Sequence, residues 1–126
     1  MSDQAILGGL ATLERAAATT YAAYAAGSVL DARSRALMRR LGANSAAHAA
    51  LLAELGAAAP STGGAAVSPR TAADVLTHAI DLERRMLRSY EDALRALTLP
   101  RWLQQLGTIV GGHGQHLAAL ELAQGR

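Results

Sequence analysis

The sequence predicts an all-α fold, a four-helix bundle made of two helical hairpins, and three observations carry that prediction. Apolar residues make up 51% of the 126-residue chain, but aromatics are only 3% and phenylalanine is absent, so much of the apolar share is alanine. Such a composition suits closely packed helices better than sheets, which draw on β-branched and aromatic side chains. A segment of small and polar residues broken by Pro60 and Pro69, residues 56–70, reads as a linker and leaves two near-equal halves, each with room for two helices. Finally, the same chemical groups recur in the same order in both halves.

The first helix is expected over about residues 4–26. Leu7, Leu10, Glu14, Ala17 and Tyr21 share one of its faces. Alanine on every side leaves its polar face poorly defined. Gly27, Ser28 and Asp31 then break the chain. The second helix is expected over about 32–55, with Leu37, Leu41, Ser45, His48, Leu52 and Leu55 along its stripe and Asn44 beside it.

Past the linker, Thr71 and Asp74 suit the start of a third helix over about 71–97. With Glu83 set to zero and about 100° per residue, Leu76, Ile80, Leu87, Tyr90, Leu94 and Leu97 fall within roughly 60° of it. The eight other charges of that helix, from Asp74 to Arg95, lie roughly 80–200° away. Glu83 therefore sits in the middle of an apolar stripe. A carboxylate there is costly unless it is paired, protonated or bound to metal. Thr98-Leu99-Pro100 ends this helix, and Pro100 is well placed to open a fourth over about 100–123. Trp102, Leu106, Ile109, His113, His116, Leu120 and Ala123 step along that helix by three or four. Gly107, Gly111, Gly112 and Gly114 crowd it, each at a cost of ~0.8–1 kcal/mol relative to Ala. Close helix–helix approach is the expected compensation; the alternative is a distorted turn at 111–114 that makes space beside His113.

The halves resemble each other in detail. Leu13-Glu14-Arg15 is followed by Tyr21, seven residues after the Glu, and Leu82-Glu83-Arg84 is followed by Tyr90 at the same interval. Each half then carries a histidine before a Leu/Ala run, His48 and His116, at 34 and 33 residues from its Glu. This order argues for a duplicated αα-hairpin. Three histidines and two carboxylates thus fall on inward faces: Glu14, His48, Glu83, His113 and His116. Imidazole and carboxylate are ligands that suit zinc, iron, manganese and copper. His113 and His116, three apart on a helix, can face a common point. Tyr21 and Tyr90 can donate hydrogen bonds to the same polar shell, and Asn44 can support it from beside.

On these residues the chain resembles the ferritin-like superfamily over nearly its whole length. The family pattern is a Glu on each of two helices and Glu-x-x-His on each of the other two, all facing inward. Glu14 and Glu83 match the single glutamates, and His48 and His116 match the histidines. Ser45 and His113 stand where the two remaining glutamates belong. The resemblance implies two αα-hairpins joined by a long crossover linker, and metal-dependent oxidation chemistry with Glu14, Glu83, His48 and His116 as ligands. The departures disfavour a dinuclear centre, because the shell offers about two negative charges rather than four. What they leave is one divalent ion (iron, zinc, copper or manganese), with His113 as a replacement ligand or a base, or else a site that has decayed and holds none. In the latter case the chain is a metal-free structural or protein-interaction bundle.

The remaining features narrow the partners. The formal net charge is +2, and every cation is arginine. No run of arginine interleaved with aromatics points to nucleic acid. No stretch has the ~20 strongly apolar residues of a membrane span. No basic, signal-like start is present, so a cytoplasmic protein is expected. Cysteine is absent, which excludes thiolate ligands and disulfides. The Ala-rich faces are compatible with a homodimer.

Overall fold

The computed structural model describes residues 1–58 and 71–125, and among these the chain is all-helical with no strand. Four α-helices are present: α1 (Asp3–Ala26), α2 (Ala32–Glu54), α3 (Ala72–Ala96) and α4 (Leu103–Gln124). A 3₁₀ turn, Pro100–Trp102, leads into α4 with Pro at its first positions. The boundaries follow local chemistry. Ser2, Asp31 and Thr71 each accept a hydrogen bond from the backbone N–H three residues on (Ala5, Ser34 and Asp74), which satisfies an orphan donor of α1, α2 and α3 in turn. Helix α2 ends in a Schellman arrangement. Gly56 takes φ of 93°, its N–H bonds Ala53 O, and Ala57 N–H bonds Leu52 O. Glycine is the residue that reaches this left-handed conformation without steric cost. Ala58 N–H then bonds Gln4 O at 3.1 Å. The chain passes so close to α1 that a Cβ on Gly8 would lie 3.0 Å from Ala58.

Helix directions follow from which residues meet. Tyr21 bonds Glu83 while Tyr90 bonds Glu14, so α1 and α3 are antiparallel. His48 lies by Glu14 and Gly42 by Tyr21, so α2 runs against α1. His48 faces Gly112 while Asn44 reaches His116, so α4 runs against α2. Glu83 meets His116 while Gln124 reaches Thr77, so α4 also runs against α3. The order around the bundle is α1, α2, α4, α3. Helices α1 and α4 point one way and α2 and α3 the other. Ala58 and Thr71 consequently lie at opposite ends of the bundle. The linker expected over 56–70 falls, from residue 59 onward, outside the described residues.

Most inward positions expected from spacing are buried, but Leu55 and His48 of α2 and Leu87, Leu94 and Leu97 beside α3's buried face are only half-buried. Leu7, Leu10 and Tyr21 of α1, Leu41 and Leu52 of α2, Ile80 and Tyr90 of α3, and Leu106, Ile109 and Leu120 of α4 are all buried. The eight charges of α3 other than Glu83 are all exposed. Met38, Val75, Ala79 and Met86 complete the apolar core. One expectation needs correction. Gly107, Gly111 and Gly114 do not mediate close helix approach, because a Cβ at each would meet nothing within 4 Å. Nor is α4 interrupted at 111–114; it is continuous. Only Gly112 is hemmed in, by the ring of His48 at 3.3 Å. No described helix is long and apolar enough to cross a membrane.

Candidate metal centre

Glu14, Ser45, Glu83, His113 and His116 are buried in the middle of this apolar core. Helical periodicity puts them there, and each helix contributes. Glu14 shares its face with Leu7, Leu10 and Tyr21 on α1; Ser45 and His48 lie one turn apart on α2; Glu83 lies between Ile80 and Tyr90 on α3; His113 and His116 follow Ile109 on α4. The five residues singled out as candidate ligands converge. The side chains of Glu14, Glu83 and His113 are 0% exposed and that of His116 is 5%, whereas that of His48 is 17%.

His113 is the hub. It donates from Nδ1 to Glu83 Oε2 at 2.6 Å and from Nε2 to Glu14 Oε1 at 2.5 Å. Each carboxylate is also held by the tyrosine of the other hairpin: Tyr21 donates to Glu83 Oε1 at 2.6 Å, and Tyr90 to Glu14 Oε1 at 2.7 Å. His116 donates from Nδ1 to Glu83 Oε1 at 3.1 Å and accepts at Nε2 from the Asn44 amide at 3.1 Å. The sequence marks Tyr21 and Tyr90 as donors to this polar shell, but not that each reaches the glutamate of the other half.

The electrostatics follow from these contacts. Burial alone raises a carboxyl group, but hydrogen bonds from His113 and His116, the charge on His113 and the Tyr21 hydroxyl outweigh it and hold Glu83 at about 2. Burial likewise opposes ionisation of Glu14, and His113, the nearby His48 and Tyr90 bring it below its ordinary value. Burial disfavours a charged His113, yet the carboxylates of Glu14 and Glu83 push it up to about 9. Burial, reinforced by those carboxylates, raises the Tyr21 and Tyr90 hydroxyls far above the usual phenol range. The metal-free cluster is thus two carboxylates bracketing one imidazolium.

Two groups in this cluster could hold a metal ion: Glu14, His48 and His113, and Glu83, His113 and His116, the ligand atoms in each lying within 4.8 Å of one another. Both are two-histidine, one-carboxylate sets, a combination used for divalent zinc and iron. They share His113, which turns Nε2 towards Glu14 and Nδ1 towards Glu83. Their hydrogen bonding differs. Around Glu83, both carboxylate oxygens and both His116 nitrogens have partners. Around Glu14, the buried atoms Glu14 Oε2 and His48 Nδ1 have none, and the buried Ser45 Oγ one turn before His48 has none either. His48 Nδ1 lies 3.4 Å from Glu14 Oε1, within ion-pair reach but not in hydrogen-bonding geometry. Buried polar atoms without partners are costly, and together with this donor set they fit a divalent cation.

No protein-family model matches the sequence, no curated protein matches it, and no solved structure matches it.

Proposed function

We propose that this protein is a metal-binding bundle of the ferritin-like kind, holding one divalent ion per chain within the cluster of Glu14, His48, Glu83, His113 and His116. The observation that carries the reading is the pair of unpartnered buried ligand atoms, Glu14 Oε2 and His48 Nδ1, beside a two-histidine, one-carboxylate set. Support comes also from the antiparallel helix order with Ala58 and Thr71 at opposite ends, which a crossover between hairpins requires, and from the reciprocal Tyr21–Glu83 and Tyr90–Glu14 bonds, which match a duplicated hairpin. A single ion is favoured over two because Ser45 and His113 occupy the places of the two further glutamates, so two divalent ions would meet too little negative charge.

A divalent ion in such a set acts as a Lewis acid and, when it is iron, supports oxidation with dioxygen. The chain's own part is to bind and to exclude water. Tyr90 and Tyr21 hold the two carboxylates in place, His113 links them, and the apolar core keeps bulk water from all but the edge of His48. One observation favours a second reading, a metal-free bundle with a structural or protein-interaction role: His113 already donates to both carboxylates, so most of the cluster is satisfied without an ion.

The two readings separate by elemental analysis after loading with iron, manganese, zinc and copper in turn. Metal binding predicts about one tightly held ion per chain, and its loss in His113→Ala, which removes the residue shared by both groups. No stoichiometric ion under any loading would leave the metal-free reading.

A further inference from the structure

The two ligand groups around His113 are chemically alike but not equivalent, and the difference locates the ion. Resting on the metal-binding reading, we infer that the ion sits on the Glu14 side of His113, held by Glu14, His48 and His113 Nε2, and that Glu83 is a positioning residue rather than a ligand. An ion on the Glu83 side would have to displace the bonds that both His113 and His116 make to Glu83, and the Asn44 bond on His116 resists its turning. An ion on the Glu14 side displaces only the His113 Nε2 proton from Glu14 Oε1, where Tyr90 also donates, and it meets two atoms that lack partners, Glu14 Oε2 and His48 Nδ1.

The Glu83 side then does the work of a supporting carboxylate. A metal-bound imidazole commonly donates its other N–H to a carboxylate, which fixes ring tautomer and strengthens the ligand. Glu83 Oε2, 2.6 Å from His113 Nδ1, is placed for that, and Tyr21 and His116 in turn hold Glu83. His113 keeps its proton on Nδ1 and turns Nε2 to the ion. Three protein ligands leave a fourth position for water or a small anion. The half-buried edge of His48 marks the approach from solvent. Gly112 belongs to the same design, since a Cβ there would lie 3.3 Å from His48 Cε1 and Nε2 and press on the ligand ring.

The test uses the full chain and Zn(II). In ¹⁵N-histidine NMR of the zinc-loaded wild type, His113 should show a metal-shifted Nε2 and a protonated Nδ1. In zinc titrations, His48→Gln should lose the stoichiometric ion, whereas His116→Gln should keep one ion with ~10–100-fold weaker affinity, the range for loss of a supporting contact. Zinc on His113 Nδ1, a second ion per wild-type chain, or an ion that survives His48→Gln and is lost in His116→Gln would each overturn the assignment while leaving metal binding intact. A wild type that takes up no zinc, iron, manganese or copper would overturn the metal-binding reading itself. The NMR measurement needs no variant, so it decides the matter even if a substituted chain fails to fold.

Discussion

At His113 two ring nitrogens meet two carboxylates, and this makes the metal-free protein sensitive to pH on both sides of a plateau. His113 rises from 6.5 to about 9 on folding, so its contribution to stability is complete below 6.5 and is lost as pH climbs through about 9. Glu83 falls from 4.5 to about 2, so its contribution is complete above 4.5 and is lost as pH drops through about 2. Glu14 is shifted in the same direction as Glu83. Urea unfolding in chelator should therefore show a maximum between about pH 4.5 and 6.5 from this cluster. A profile flat from pH 4 to 9 would show that the imidazolium and carboxylates are not coupled. The tyrosines give a second measurement. Tyr90→Phe removes a donor to buried Glu14 and Tyr21→Phe one to buried Glu83, and each should cost about 1–3 kcal/mol in the metal-free protein. A cost below about 0.5 kcal/mol would place those hydroxyls away from the carboxylates. The sequence located both tyrosines one heptad after a glutamate, but not their partners, because a partner across the bundle depends on the register between helices.

Among the elements, α4 departs most from its sequence-based reading. Its inward stripe from Trp102 to Ala123 is buried as the spacing implied. Its glycines are not used as expected: three of them face open space and one faces the ring of His48. Gly114→Ala should thus stabilise the protein by roughly 0.8–1 kcal/mol, the helix propensity difference with no clash to offset it. Gly112→Ala should gain less or lose, and should weaken zinc binding by displacing His48. Equal gains in thermal or urea stability at both positions would mean that the His48 ring is not packed on α4. Helix α1 shows the opposite lesson. Alanine around its circumference blurred its inward face, and only the match of Glu14 to Glu83 marked Glu14 as an inner residue. The structure buries Glu14 completely.

For the molecule as a whole, the all-helical fold was legible because periodicity, caps and breaks act locally: Asp31, Thr71 and Pro100 each mark a break or start within the chain's own sequence. The convergence of Glu14, His48, Glu83, His113 and His116 was legible because each lies on an apolar stripe. What sequence could not carry was the inequality of the two candidate groups, since Glu14 and Glu83 look alike until His116 and Asn44 are seen to occupy the Glu83 side while Glu14 Oε2 and His48 Nδ1 have no partner. Nor did it carry the fastening at the end of the bundle. The Asp3 carboxylate accepts from the backbone N–H groups of Thr98 and Leu99, the Thr98 hydroxyl and the Trp102 indole, and the Thr98 backbone bond leads the effects that hold it below its ordinary value.

That fastening also divides the molecule optically. The only tryptophan of the chain sits at the bundle end, its indole on Asp3 and its ring face under Arg101, whereas Tyr21 and Tyr90 lie against the buried carboxylates. In a Tyr24→Phe chain, which leaves Tyr21 and Tyr90 as the phenols, indole fluorescence and phenol absorption are thus two reporters at two depths of one bundle. Followed together during denaturation, they distinguish fraying that starts where α1 meets the α3–α4 turn from a collapse that begins at the polar centre, with no label added.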